Sequence, residues 1–235
     1  MQSSDMQYFP ISWPFLLALF ALFLIVLTLV EIGILRYAYE RMGVPPRYVL
    51  TILLLSLIGS AINIPVARFA PEAMVTHRII NFYGIEYVVP VVRNSPGTIL
   101  AVNVGGALIP VLLSIYLMFK NRLFVRALLA IAVVAVVTHW LATPVRGVGV
   151  SLPIFIPPIV AALAGLVFGW SKAAPLAYIA GCVGTLIGAD LMNLSKIPGL
   201  GAPVASIGGA GTFDGVFLVG IVAVLLSPAA RPQRR

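Results

Sequence analysis

The run AAPLAYIAGCVGTLIGADLMNL, residues 173–194, decides the fold class of this chain. It has about the 20 apolar residues that a helix needs to cross a bilayer, and its hydrophobic residues do not alternate with polar ones. Such a run predicts a membrane-spanning helix, because a helix satisfies its own backbone hydrogen bonds in hydrocarbon. Near the end of the run stands an ionisable residue, Asp190.

The remaining sequence has the same apolar character. Of its 235 residues, 61% are hydrophobic and only 9% are charged, whereas soluble domains carry about 25% charged residues. We therefore predict an all-α polytopic membrane protein with one transmembrane domain over residues 1–235. Its seven spans are expected at about 13–36, 48–66, 97–119, 123–142, 151–169, 174–194 and 212–228. The prolines of SLPIFIPP predict a kink or break in the fifth span near Pro157 and Pro158.

The positive charge of the chain, +8, is distributed as membrane orientation requires. Lys and Arg cluster at the ends of the apolar runs, which argues against nucleic-acid binding and favours membrane lipids as partners. Ten of the fifteen basic residues fall on one side when the C-terminus is cytoplasmic. That side would hold Arg36, Arg41, Arg47, Lys120, Arg122, Arg126, Lys172, Arg231, Arg234 and Arg235. The N-terminus is then predicted to lie outside.

Residues 67–96 form the one long segment between apolar runs. HRIINF and IEYVVPVV are β-prone sequences on either side of Tyr83 and Gly84, which favours a β-hairpin in this outer loop. An amphipathic segment lying in the membrane interface is the alternative.

Two aspartates lie inside apolar sequence, Asp190 near the end of span six and Asp214 near the start of span seven. Burying a charge in hydrocarbon costs at least about 2.5–3.5 kcal/mol, so such residues usually have a function. Other polar residues are predicted at the same depth, namely Asn63, Asn103, His139 and Asn193. Asn63, Asn103, Asp190 and Asp214 are predicted to face the bundle interior, because lipid exposure would leave them without partners. The plainer interpretation is that the asparagines join helices by hydrogen bonds, that His139 is interfacial, and that Asp214 caps a helix.

Glycines at positions 181, 184 and 188 predict close contact between span six and the glycine-rich span seven. Such contact would bring the two aspartates together. Cys182, as the only cysteine, excludes an intramolecular disulfide and a thiolate metal cluster. We expect neither a cofactor nor a metal.

The segments GTLIGAD and GGAGTFDG resemble the intramembrane aspartyl proteases of the presenilin, signal peptide peptidase and prepilin peptidase type. The resemblance implies that Asp190 and Asp214 form a catalytic dyad, with Gly209 and Gly211 in the place of the glycines that precede the second aspartate. The sequence departs from the protease pattern at Thr212 and Phe213, which separate Gly211 from Asp214. More of the chain, from span two onward, resembles an uncharacterised family of bacterial and archaeal integral membrane proteins. This second resemblance implies a prokaryotic cell (inner) membrane location.

Three functions are compatible with these residues. The leading hypothesis is a protease that cleaves a transmembrane peptide, with Asn63, Asn103, His139 and Asn193 in supporting roles. A transporter or channel could use the same aspartates to bind a proton or a cation. A metal-dependent membrane enzyme using Asp190, Asp214 and His139 is the third, although no motif with ligand spacing is present.

The asymmetry of the basic residues predicts that the C-terminus is cytoplasmic. A green fluorescent protein fused after residue 235 should therefore fluoresce, and alkaline phosphatase fused there should be inactive. An active phosphatase fusion would reverse the orientation.

Overall fold

The computed structural model describes residues 13–70, 73–82, 85–94, 97–145, 149–197, 202–209 and 215–228. The chain forms two compact units, one that ends at Tyr37 and one that begins at Ala38. The described residues contain seven α-helices. These are α1 (Trp13–Arg41), α2 (Pro46–Ser60), α3 (Ile109–Asn121), α4 (Phe124–Leu141), α5 (Ile156–Gly169), α6 (Ala173–Thr185) and α7 (Gly215–Leu226).

Three helical stretches among the described residues are long and apolar enough to cross a membrane. They are Val104–Asn121, Phe124–Leu141 and Ile156–Lys196, and the number rises to four if Glu31–Arg41 and Pro46–Ser60 are counted together as one broken span. These helices are compatible with a membrane protein. The prediction of about seven spans is not confirmed by this count.

The stretch Ile156–Lys196 folds back on itself at a 3-10 turn, Trp170–Lys172. A Cβ added to Gly165 would lie 2.9 Å from the Cβ of Ala177, and one added to Gly181 would lie 3.3 Å from that of Ala161. Positions that lie equally far from the turn are thus in contact, so α5 and α6 form an antiparallel helical hairpin.

The prolines of the fifth predicted span do not break a helix. Pro157 and Pro158 occupy the first turn of α5, where backbone N–H groups have no partner within the helix. Proline is well suited to this place because it lacks the N–H group. The predicted kink is therefore replaced by a helix start.

A three-stranded sheet occupies the end of the second unit at which α2 ends. Its strands are β1 (Asn63–Arg68), β4 (Ile99–Asn103) and β7 (Val204–Ile207), in the order β1-β4-β7. β1 and β4 are antiparallel with Asn63 opposite Asn103, and β4 and β7 are parallel with Val102 opposite Ile207.

The sheet corrects the predicted boundaries of spans two and three. α2 ends at Ser60, and residues 61–66 leave the helix for β1. The third span begins as strand β4 and continues through a π-helical turn, Val104–Leu108, before α3. Hydropathy cannot distinguish an apolar strand from an apolar helix, and Pro65 is incompatible with a helix interior.

The predicted hairpin is confirmed. β2 (Ala73–Phe82) pairs antiparallel with β3 (Ile85–Asn94), with Phe82 opposite Ile85 and Ala73 opposite Asn94. Tyr83 and Gly84 lie outside the described residues. A smaller antiparallel pair joins β5 (Thr143–Val145) and β6 (Gly149–Ser151) between α4 and α5.

Helix α6 is the centre of the bundle, because nearly all of its residues are buried. The glycines that were predicted to contact span seven lie against three helices, since Gly181 also contacts Ala161 of α5. Gly181 packs against Gly220 of α7, whereas a Cβ on Gly184 would lie 2.7 Å from the Cβ of Val134 in α4. Gly188 also lies against α4, at Ala135. Small residues therefore let α4 and α5 approach this run, as well as α7.

The guanidinium of Arg41, at the end of α1, holds the C-terminal end of α7. It donates to the carbonyl oxygens of Val224 at 2.9 Å and Ser227 at 2.6 Å. Val224 belongs to the last turn of α7 and Ser227 directly follows the helix, at an end where carbonyl groups lack partners within the helix and a positive charge is favourable.

Replacing Gly105 by alanine should destabilise the fold. The added Cβ would collide with backbone atoms of Ser56 and Ser60 and would lie 2.9 Å from the carbonyl carbon of Gly59. Because backbone cannot move as a side chain can, we expect a loss of about 1–3 kcal/mol or more. Gly33→Ala is the matched control, since a Cβ at Gly33 meets nothing within 4 Å. Thermal denaturation in detergent measures both variants, and equal melting temperatures would contradict the packing argument.

Candidate functional site

Asp190 lies where the long apolar helix loses regular geometry. α6 passes into a π-helical turn, Leu186–Asp190, and then into a 3-10 turn, Leu191–Lys196. A Cβ on Gly188, within the π-helical turn, would collide with Thr138 Oγ1 and the Ala135 carbonyl oxygen of α4. Turns of π-helix inside longer helices are frequent at functional sites.

The Asp190 carboxylate contacts the end of strand β7. Its Oδ2 accepts a hydrogen bond of 2.8 Å from the backbone N–H of Gly208, and the Asp190 side chain is half-buried. Gly208 has a φ of +78°, a conformation that favours glycine. A hydrogen bond to a carboxylate is stronger than one between neutral groups, so this contact fixes the carboxylate at the strand end.

Gly208 also packs closely on the turn that follows β4. A Cβ added to it would lie 2.7 Å from the carbonyl carbon of Gly106 and 2.8 Å from the Ala107 nitrogen. The glycine therefore brings three segments together: the π-helical turn that carries Asp190, the end of β7, and the π-helical turn after β4.

A second polar network joins the strands. Asn103 Nδ2 donates to the Ser60 carbonyl oxygen at 2.8 Å and to Asn63 Oδ1 at 3.1 Å, and its Oδ1 accepts from Gly106 N–H at 2.8 Å. Ser206 Oγ donates to Asn63 Oδ1 at 2.5 Å. Asn103 is buried, whereas Asn63 is exposed. The predicted interior position is thus wrong for Asn63, because this residue lies on strand β1 and not within a helix.

A third network supports the turn that carries Asp190. Asn193 is fully buried, and its Nδ2 donates to the carbonyl oxygens of Gly188 at 3.1 Å and Ala189 at 3.0 Å. Its Nδ2 also lies 3.3 Å from His139 Nδ1, and its Oδ1 accepts from Lys196 Nζ at 2.8 Å. Asn193 therefore ties the break in the helix to α4.

The predicted site residues fall into these networks in pairs. Asn63 contacts Asn103, and His139 contacts Asn193. Gly209 follows β7, where its N–H donates to the Ser206 carbonyl oxygen at 3.2 Å. Asp214 and Gly211 lie outside the described residues.

Sequence reasoning missed Ser206, Gly208 and Lys196. Ser206 lies within the short β-prone run PVASI and Gly208 directly follows it, a pattern that indicates a strand followed by a turn. Lys196 lies three residues after Asn193, the spacing at which two side chains share one helix face.

No group of three His, Cys, Asp or Glu side chains in the described residues is placed to hold a metal ion. The metal site considered in the sequence analysis used Asp190, Asp214 and His139, and of these Asp214 lies outside the described residues.

A family described as "Protein of unknown function (DUF1614)" matches residues 57–226, well over half of the chain. The chain belongs to this family. The DUF1614 region begins near the end of α2, reaches the end of α7 and contains all three polar networks. This finding confirms the expected membership in an uncharacterised family, and it adds no support to the protease resemblance. No curated protein and no solved structure matches the chain.

Asn193→Ala should destabilise the protein more than His139→Ala. Loss of the amide removes the side-chain donor to the Gly188 and Ala189 carbonyls in a buried place, which costs about 1–3 kcal/mol for a group left unsatisfied. His139 is half-buried and makes one contact of 3.3 Å with Asn193. Melting temperatures of both variants in detergent provide the comparison. A larger effect of His139→Ala would contradict the assignment of Asn193 as the support of the turn.

Proposed function

We propose that this DUF1614 protein is an intramembrane aspartyl protease-like enzyme, in which Asp190 and Asp214 hydrolyse a membrane-embedded peptide. One observation carries the proposal: the Asp190 carboxylate is hydrogen-bonded to Gly208 N–H at the end of strand β7. A carboxylate therefore lies beside the end of a short strand. In the sequence, Asp214 lies six residues after Gly208 and directly before Gly215, the first residue of α7.

Strand β7 lies at the edge of the described sheet and offers a place for an extended substrate. Ile99 N–H donates to the Pro203 carbonyl oxygen at 3.0 Å. In a parallel pair, alternate residues direct both backbone groups to the same neighbour. The backbone N–H and C=O groups of Ala205 and Ile207 are therefore directed at β4. The backbone groups of Val204 and the N–H of Ser206 are directed away from it.

A peptide strand added at this edge would run towards the Asp190 carboxylate. Val204, the first residue of this strand, is 48% exposed. Strand addition uses main-chain hydrogen bonds and requires that a helical substrate unwinds first. Unwinding also exposes the scissile peptide bond, which is protected inside a helix.

The proposed chemistry requires that the two carboxyl groups hold one proton between them. The ionised carboxylate removes a proton from water as the water oxygen bonds to the scissile carbonyl carbon, and the protonated carboxyl donates its proton to the carbonyl oxygen. In the second step the carbon–nitrogen bond breaks, and the leaving nitrogen takes the proton held by the first carboxyl group. The second carboxylate takes a proton from one hydroxyl group of the intermediate as the carbonyl forms again, so the pair again holds one proton.

The membrane arrangement that we propose has seven crossings, α1 to α7, in a prokaryotic cell membrane with the C-terminus in the cytoplasm. Its support is the position of two lysines at the end of the bundle opposite the sheet. Lys120 and Lys172 lie together at one end of the bundle, where Lys172 Nζ donates to the Asn121 carbonyl oxygen at 3.1 Å. The sheet and Asp190 lie at the opposite ends of α3 and α6.

A transporter or channel that binds a proton or cation at the same aspartates is the second candidate. The observation that favours it is the change from α-helix to π-helical and 3-10 turns at Leu186–Lys196. Interrupted helices with a polar residue at the break often form the ion sites of transporters.

Asp190→Asn and Asp214→Asn should each abolish cleavage of a transmembrane peptide and leave the folded protein in the membrane. Asparagine keeps the size and hydrogen-bonding capacity of aspartate, but it cannot exchange a proton near neutral pH. The assay uses purified protein with a library of fluorogenic transmembrane peptides, and melting temperatures verify folding.

Glu86→Gln is the matched control, because Glu86 is an exposed carboxylate on the β2–β3 hairpin. It should retain full cleavage. Cleavage by either single aspartate variant would exclude the two-carboxyl mechanism. No cleavage by the wild type, together with proton or cation flux into vesicles that both aspartate variants lose, would favour transport.

A further inference from the structure

An apolar groove lies between α2 and α3, at the end of the second unit opposite the sheet. It has a volume of about 280 Å³ and is lined by Val44, Tyr48, Ile52, Leu113 and Tyr116, among others. Tyr48 and Tyr116 are both about half exposed. No acidic side chain lines the groove.

The groove exists because α2 and the α3 segment touch at one end and separate at the other. Near the sheet, Ser56 Oγ donates to the Gly105 carbonyl oxygen at 3.0 Å, and a Cβ on Gly59 would lie 2.9 Å from the Gly105 nitrogen. Small residues permit this close approach. Towards the other end the groove lies between the helices, and each helix contributes one tyrosine to its lining.

Two cations stand at the mouth of the groove, each over one of its tyrosines. The Arg47 guanidinium carbon is 4.7 Å from the centre of the Tyr48 ring, and Lys120 Nζ is 5.4 Å from that of Tyr116. Lys120 also donates to the Gly43 carbonyl oxygen in the turn before α2. An ammonium has three hydrogens, so this bond leaves donors for another anion.

The start of α2 adds to the positive potential at the mouth. Pro45 precedes the helix, no side chain caps it, and its first turn contains no acidic residue. The first N–H groups of a helix carry a partial positive charge, which is usually offset by such a residue.

We propose that this groove binds an anionic phospholipid, with an acyl chain between α2 and α3 and the phosphate between Arg47 and Lys120. The apolar groove and the two cations together select this ligand. A soluble phosphate would leave the apolar groove unused, and a zwitterionic lipid would add its own positive charge beside the two cations. The site is separate from Asp190 and does not depend on the proposed proteolysis.

The test is native mass spectrometry of the full-length protein in mild detergent, with equimolar phosphatidylglycerol and phosphatidylcholine of the same acyl chains. The wild type should retain phosphatidylglycerol preferentially. Arg47→Gln and Lys120→Gln should each lower that preference about fivefold, as expected for removal of one basic side chain at a membrane surface. Thr51→Trp, at an exposed position that lines the groove, should lower retention of both lipids.

Arg126→Gln is the matched control, since Arg126 is an exposed basic residue near the start of α4, at the same end of the bundle. It should keep the preference, and glycerol phosphate should not displace the lipid. The proposal is overturned if the wild type shows no preference or if Arg126→Gln lowers it as much as Arg47→Gln. Unchanged retention in Thr51→Trp would equally exclude the groove. If Lys120→Gln fails to fold, Arg47→Gln and Thr51→Trp still test the lipid-binding proposal.

Discussion

Asn103 makes three hydrogen bonds at the point where strand β4 becomes helix, within sequence that is otherwise apolar. Its amide satisfies the Ser60 carbonyl at the end of α2 and the Gly106 N–H at the start of the next helical segment. Backbone groups in an apolar environment need such partners within the protein, since no water replaces them. This residue therefore permits two helices to end in a sheet, and the arrangement of β1, β4 and β7 depends on it.

Asn193 meets the same requirement at the second break, in the run that carries Asp190. Its amide donates to two carbonyl oxygens of the π-helical turn, which regular helix geometry would pair differently. Gly188 allows that turn to lie against α4, and Gly208 brings the end of β7 to the carboxylate. The position of Asp190 thus follows from two glycines and one buried asparagine. Those residues make its side chain available to an edge strand instead of burying it in a helix interface.

The two ends of the unit that begins at Ala38 differ in chemistry. The sheet and Asp190 lie at one end, where polar groups come from strands and helix breaks. At the other end, Arg47 and Lys120 stand over tyrosines beside an apolar groove. The proposed catalytic function concerns the first end, and the proposed lipid site concerns the second. A lipid bound between α2 and α3 would support the same helix pair whose far ends carry Asn63 and Asn103.

The sequence by itself determined the apolar, largely helical class, the β2–β3 hairpin and Asp190 as a residue that needs an explanation. These properties are local, because they depend on composition, on a β-prone run around Tyr83 and Gly84, and on the cost of one charge in apolar surroundings. Only the tertiary structure decided that residues 63–68 and 99–103 are strands, because their pairing partners are distant in sequence and hydropathy is the same for both conformations. It also decided that Gly184 and Gly188 pack against α4, and that Gly208 is the partner of Asp190. A backbone N–H can bond to any carboxylate that lies close enough. The contact between Gly208 and Asp190 therefore depends on the path of the chain and not on a sequence motif.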